Sequence, residues 1–252
     1  MLSANRIKQI RSLQQKKFRK HASLFVAEGS KLIREILLSN LEIESVFHTS
    51  TWTDNHLLKG KHAELITEKE MSRISGLKTP TNVLAIVKQP QQKFSLNNLL
   101  SGFSIALDDI QDPGNLGSII RTAHWFGIST ILCSLETADA YSPKVVQATM
   151  GALVNVSLFY VDLPSILTQA HEMGIPLLGT FLNGENLFTC QLPKSGVLVM
   201  GNEGNGIQAN IESLITQRIY IPSFSTSSVG SESLNVSVAT AIACSELLRR
   251  TI

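Results

Sequence analysis

From Leu99 onward the chain alternates short apolar runs with helical patterns, and this alternation restricts the fold more than any other feature. FSIALD, STILC, VSLFYV, PLLGTF, VLVM and RIYIP read as strands, and helical patterns begin near Leu116, Pro143, Pro164, Ile207 and Ser233. Strands of this kind separated by helices predict an α/β domain whose mainly parallel sheet is covered on both faces. Ligands of such sheets gather at the carboxyl ends of the strands, so chemistry is expected in the loops there.

The front of the chain alternates as well. Ile7, Ile10 and Leu13 fall at helical spacing and predict one basic amphipathic helix over the opening stretch. LFVAEG, IESVFH, AELIT and NVLAIVK follow as strands, with SKLIREILLS and EKEMSRIS as helices, which predicts a smaller α/β domain. Gln89 to Asn98 is polar, without apolar period, and reads as a linker. Two domains are therefore expected, residues 1–97 with the linker and residues 98–252.

Charge divides the same way. The whole chain carries a net charge of only +2, yet residues 1–97 hold 16 Lys and Arg against 8 Asp and Glu, leaving 6 basic and 12 acidic residues for the rest. Clustered cations attract a polyanion by releasing its counterions, so nucleic acid is the expected partner of the front domain. The candidate contacts are Arg6, Lys8, Arg11, Lys16, Lys17, Arg19 and Lys20, although a solvated helix face would explain the same run. Cys133, Cys190 and Cys244 are widely separated and form no CxxC pair, so neither a disulfide framework nor a metal site is expected. MLSANRIKQI lacks the apolar core of a signal peptide, and no apolar run is long enough to span a bilayer. The expectation is a cytoplasmic protein with reduced thiols and no membrane partner.

Three loops carry the chemical argument. DDIQDPGNLGSIIRTA passes from a strand end through a Pro-Gly turn into a helix, with Asn115 as a candidate N-cap and Arg121 interrupting an apolar helix. GNEGNG, Gly201 to Gly206, follows a continuous apolar strand. Its glycines expose backbone N–H groups, but the spacing is neither GxGxxG nor a phosphate-gripping loop. Glu203 there could accept from a ribose hydroxyl or hold an arginine, or be an ordinary turn carboxylate. The third loop leads from Ile221 and Pro222 through a serine-rich stretch to an apolar terminal helix expected to be largely buried, with Ser233 and Asn235 at its N-terminus.

Taken in order, Asn115-x-Gly117-x-x-x-Arg121, then Gly201-Asn202-Glu203-Gly204, then Ile221-Pro222 and Ser233-Leu234-Asn235-Val236-Ser237 resemble the motifs of SpoU/TrmH-type RNA 2′-O-ribose methyltransferases of the SPOUT superfamily, the class IV methyltransferases. The front half is similar to that family's substrate-binding domain through NRIKQIRSLQQKKFRK and LFVAEGSKLIREIL. The resemblance implies a trefoil-knotted catalytic domain, a homodimer, and S-adenosyl-L-methionine held in a bent shape by Thr180, Phe181, Gly184, Gly201, Asn202, Gly204, Ile221, Pro222, Leu234 and Asn235. It implies methyl transfer to a ribose 2′-hydroxyl of RNA, ribosomal RNA being the expected substrate. Arg121 is then the central catalytic residue, with Asn115, Glu203, Ser233 and Asn235 around it. A guanidinium gives up its proton reluctantly, which favours Arg121 as an orienter and charge stabiliser over a literal base.

This sequence departs from the family pattern in two places. The loop between Pro222 and Ser233 is longer and richer in serine, and Gln147 stands where relatives often carry arginine. Other readings stay open beside the main one: an RNA-binding relative that has lost catalysis, a methyltransferase acting on transfer RNA or on a base, and a nucleotide-dependent oxidoreductase, which the absent GxGxxG disfavours.

Overall fold

The structure, a computed structural model, describes residues 1–225 and 233–250. The chain forms two compact units, Met1–Gln91 with Asp139–Val154, and Gln92–Ala138 with Asn155–Ile252. No helix among the described residues is long and apolar enough to cross a membrane.

In the first unit the opening stretch forms two helices in place of the single one expected, α1 (Ala4–Ser12) and α2 (Lys16–Ala22). The break has an internal cause. Leu13 joins Ile7 and Ile10 in the core, and the buried Arg19 turns inward to donate to the Leu13 carbonyl at 2.8 Å. Beyond them run β1 (Leu24–Glu28), α3 (Ser30–Leu38), β2 (Ile43–His48), β3 (Ala63–Leu65), α4 (Glu68–Ile74) and β4 (Val83–Lys88). The sheet order is β1-β4-β2-β3, antiparallel except for the β2–β3 pair. Thr67 and Glu70 make a capping box at the start of α4, and Glu70 also accepts from the Leu2 N–H at 2.7 Å, pinning the N-terminus to that helix.

The second unit is built on β5 (Phe103–Leu107), α5 (Pro113–Trp125) and β6 (Thr130–Cys133). The chain then gives α6 (Pro143–Ala148) to the first unit before continuing through β7 (Ser157–Tyr160), α7 (Leu163–Glu172), β8 (Leu177–Asn186), β9 (Gly196–Met200), α8 (Ala209–Glu212), β10 (Gln217–Tyr220) and α9 (Val236–Arg249). The sheet order is β10-β8-β9-β5-β6-β7 and every pairing is parallel. The central β5 and β9 are buried at every residue, which is why they read as unbroken apolar runs, whereas the edge strands β7 and β10 are only partly covered. Because β8, β9 and β5 are neighbours and β10 adjoins β8, loops far apart in sequence leave the same edge of one sheet.

Residues 139–154 are fastened within the first unit by specific contacts. Arg19 pairs with Asp139 at 2.6 Å, Tyr141 packs its ring on Phe25 with centroids 5.1 Å apart, and Gln147 donates to the Glu28 carbonyl at 2.8 Å. Gln147 thus ties α6 to the end of β1.

Candidate functional site

The first loop is organised by a residue that sequence patterning overlooks. Asp112, and not Asn115, caps α5: its carboxylate accepts the Asn115 N–H at 2.8 Å, and Pro113 occupies the first helical turn. Proline has no N–H to leave unpaired there and its φ is already helical, so the helix starts earlier than the apolar period suggests. The consequence is chemical, since Asn115 keeps its side chain free. Its Nδ2 donates to Glu203 Oε1 at 2.7 Å, and its Oδ1 accepts from Asn235 Nδ2 at 2.9 Å. One asparagine therefore links its own segment to two others, 88 and 120 residues away along the chain.

Asn235 is itself fixed because it caps α9, its Oδ1 accepting from the N–H groups of Ser237 and Val238. Ser233 and Leu234 precede that cap. Both are exposed, as is Asn235, so the start of α9 is open to solvent and not buried as expected. The remainder of the helix departs from expectation too: Val236, Thr240, Ala243, Cys244 and Leu247 face inward, while Val238 remains 47% exposed. The serine-rich stretch at 226–232 lies outside the described residues.

The Gly201–Gly206 loop is closed on itself. Asn202 and Gly206 exchange two backbone hydrogen bonds of 2.9 Å, and Asn202 Oδ1 accepts from the N–H groups of Gly204 and Asn205. Gly201 is required by packing: a Cβ there would lie 2.3 Å from the Gly206 carbonyl carbon and 2.4 Å from the Ile207 nitrogen. Asn202 Nδ2 also donates to the Asp109 carbonyl at 2.8 Å, tying the loop to the end of β5.

Thr180 to Gly184 form a bulge within β8 and not a loop beyond its end. Arg218 of β10 pairs with Gly179, the next residue Ile219 pairs with Glu185, and the five residues between are displaced. Gly184 makes this possible with φ +138°, where a Cβ would meet the Arg218 carbonyl oxygen at 2.6 Å. Thr180 donates weakly to the Val199 carbonyl at 3.4 Å, and the Phe181 ring lies 3.6 Å from the Arg218 guanidinium carbon. Ile221 and Pro222 follow β10 and are half-buried. These segments offer backbone amides and a mixture of apolar and uncharged polar side chains, groups that suit a nucleoside.

Arg121, on α5 beyond Gly117, is exposed and makes no hydrogen bond or ion pair with another described residue. Its guanidinium is uncommitted, unlike those of Arg6, Arg19 and Arg218.

Residues 102–245 match the SpoU rRNA Methylase family, and residues 4–85 match the MRM3-like substrate binding domain. The chain belongs to the SpoU rRNA methylase family. This family member is 29% identical over 239 residues to the 23S rRNA (guanosine(2553)-2′-O)-methyltransferase RlmP of Bacillus subtilis, covering 94% of this chain and 93% of the relative. Among solved structures, a chain of the TrmH family from Porphyromonas gingivalis superposes with a TM-score of 0.88 at 38% identity, over 99% of both chains. An AdoMet-bound rRNA methyltransferase from Sinorhizobium meliloti superposes with a TM-score of 0.86 at 28% identity, over 100% of this chain and 98% of that one.

In this SpoU family chain the seven candidate RNA contacts of the opening stretch divide into three groups. Lys8, Arg11, Lys16, Lys17 and Lys20 are exposed. Arg6 is half-buried and bonded to Glu44 and Ser45. Arg19 is 3% exposed and committed to Asp139 and the Leu13 carbonyl, so it acts as a strut and presents no charge outward. Lysine and arginine look alike in a charge run, and only the partner 120 residues away separates them.

Proposed function

We propose that this protein transfers a methyl group from S-adenosyl-L-methionine to a ribose 2′-hydroxyl of ribosomal RNA. The observation that carries the reading is the Glu203–Asn115–Asn235 chain of hydrogen bonds, which joins the three motif loops beside the ends of β5, β9 and β10. Support also comes from the activities in the names of RlmP and of the AdoMet-bound Sinorhizobium enzyme.

S-adenosyl-L-methionine supplies an electrophilic methyl on a sulfonium sulfur. The residues that would hold it are Thr180, Phe181 and Gly184 of the β8 bulge, Gly201, Asn202 and Gly204, then Ile221, Pro222, Leu234 and Asn235. Held there, it would supply that methyl group to the ribose oxygen and keep the carbon–sulfur electron pair on its sulfur. The hydroxyl proton leaves to solvent. Arg121, uncommitted to any described side chain, orients the ribose-phosphate and stabilises the negative charge developing on oxygen. Asn115 and Glu203 hold the loop around that oxygen, and Ser233 and Asn235 border donor and acceptor. Lys8, Arg11, Lys16, Lys17 and Lys20 contact RNA phosphates.

The active form is a homodimer within the cytoplasm, its catalytic unit knotted as in the SPOUT superfamily. A groove of about 430 Å³ between Phe188 and the outer face of α9, lined by Ser237, Val238, Ala241 and Ile242, supports this assembly, because a second copy would cover that apolar surface.

Incubation with labelled S-adenosyl-L-methionine and ribosomal or transfer RNA, followed by digestion to nucleosides, tests the reading. A 2′-O-methyl nucleoside from ribosomal RNA is expected, lost in Arg121→Ala. A methylated base, labelled transfer RNA alone, or unchanged turnover in Arg121→Ala would overturn the corresponding part.

A further inference from the structure

Behind the motif loops lies a second layer of polar groups. Asp108, the residue after β5, is wholly buried, and its N–H donates to the Met200 carbonyl at the end of β9. Its carboxylate is gripped twice by one residue: Oδ2 accepts the Gln208 N–H at 2.7 Å, and Oδ1 accepts Gln208 Nε2 at 2.8 Å. Burial raises the Asp108 carboxyl above its usual range, with the neighbouring Asp109 acting in the same direction, while the two Gln208 donors oppose the rise. A buried carboxylate with both oxygens committed to one partner is costly to rearrange.

Asp109 sits beside it with φ +58°, the left-handed region that side chains rarely adopt. Every polar group of Asp109 is used to hold it there. Its N–H donates to Ser134 Oγ at 3.0 Å, Ser134 Oγ donates back to Oδ1 at 2.6 Å, Gln208 Nε2 approaches Oδ2 at 3.3 Å, and its carbonyl accepts from Asn202. Strain of this kind persists only where the surroundings over-determine it, and it concentrates at functional sites.

These contacts tie the Gly201–Gly206 loop at both ends. Asn202, entering it, is held by Asp109, and Gln208, two residues past Gly206, is held by Asp108. Between those ties the loop is closed by the Asn202–Gly206 pair, which joins its two ends to each other. We infer that Asp108 and Gln208 are positioning residues for the methyl transfer, which set Glu203 against Asn115 by clamping the exit of the Gly201–Gly206 loop to the end of β5. The inference rests on the activity proposed above. Neither residue touches the Glu203–Asn115–Asn235 chain, and their effect is on where that chain stands. Without the clamp, Glu203 remains present but no longer meets Asn115 at hydrogen-bonding distance.

The test uses Gln208, which reaches the surface, in place of the wholly buried Asp108. Gln208→Ala keeps the backbone donor and deletes the side-chain one. Its kcat, read well below the onset of unfolding because the donor lost from the buried Asp108 also costs stability, should fall about 10-fold or more, the scale expected when a supporting change misplaces reacting groups, with the KM for RNA unchanged. Gln208→Lys, which returns a donor between the two carboxylates, should recover most of that loss, whereas Gln208→Glu, which sets a third carboxylate against Asp108 and Asp109, should not. Wild-type kcat in Gln208→Ala, a loss that disappears when the variants are assayed well below their melting temperatures, or equal kcat in the Lys and Glu variants would each overturn the inference while wild-type transfer stands. A wild-type protein that methylates neither RNA would instead remove the proposed activity, and this inference with it.

Discussion

Replacing Asn115 by Asp changes one atom of consequence and leaves shape and volume intact. The amide nitrogen that donates to Glu203 Oε1 at 2.7 Å becomes an oxygen, while the other oxygen still accepts from Asn235. A hydrogen bond to a charged acceptor is worth about 1.5–3 kcal/mol, and two like charges at that separation repel by about 1.5 kcal/mol even in a water-like dielectric. Both groups reach solvent, so screening and relaxation of the loop reduce the combined effect to about 1–2 kcal/mol, a fall in kcat of roughly 5- to 30-fold. The loss carries a signature. Two carboxyls at such a distance share a proton, and the protonated one donates to the other as the amide did. The ratio of variant to wild-type activity should therefore rise as pH is lowered toward the carboxylate range. Single-turnover transfer from labelled S-adenosyl-L-methionine, measured from mildly alkaline to mildly acidic pH with saturating RNA, reads the chemical step apart from binding. A variant as fast as wild type, or one impaired equally at every pH, would refute the reasoning from the Asn115–Glu203 contact.

Three further outcomes are expected. Gly201→Ala drives a methyl group into the Gly206–Ile207 backbone, an overpacking worth about 1–3 kcal/mol, and calorimetric titration should record weakened cofactor binding; undiminished affinity would contradict the packing argument. Hydrogen bonds from the Thr67 and Leu2 N–H groups hold the Glu70 carboxyl down from 4.5 to about 2, so its contribution to stability is complete above 4.5 and lost as pH falls through about 2. Glu70→Gln should show a shallower loss of melting temperature across that window, and parallel curves would count against it. Ile242→Asp places a charge in the α9 groove and should yield monomers by light scattering, whereas an unaltered mass would move the dimer interface elsewhere.

Much of the architecture was legible because burial on both faces writes itself into composition. β5 and β9 are wholly buried and read as apolar runs, and the alternation with helices predicts the parallel sheet that is observed. The three motif loops were legible for a related reason, since glycine, proline and asparagine mark places where the backbone must turn or approach closely. What escaped a reading of the chain were pairings made at a distance. Asp112 looks no better a cap than Asn115 until Pro113 is seen in the first turn, and Arg19 looks like its basic neighbours until Asp139 arrives from 120 residues away.

The order of residues by itself therefore determined which segments become strands and helices, and which loops carry polar groups to a strand end, because those outcomes depend on local periodicity and turn chemistry. Only the tertiary structure decided which polar group meets which. The sheet order β10-β8-β9-β5 brings remote loops to one edge, and hydrogen bonds at 2.7 to 2.9 Å select partners there by distance and direction, properties that no spacing along a chain encodes.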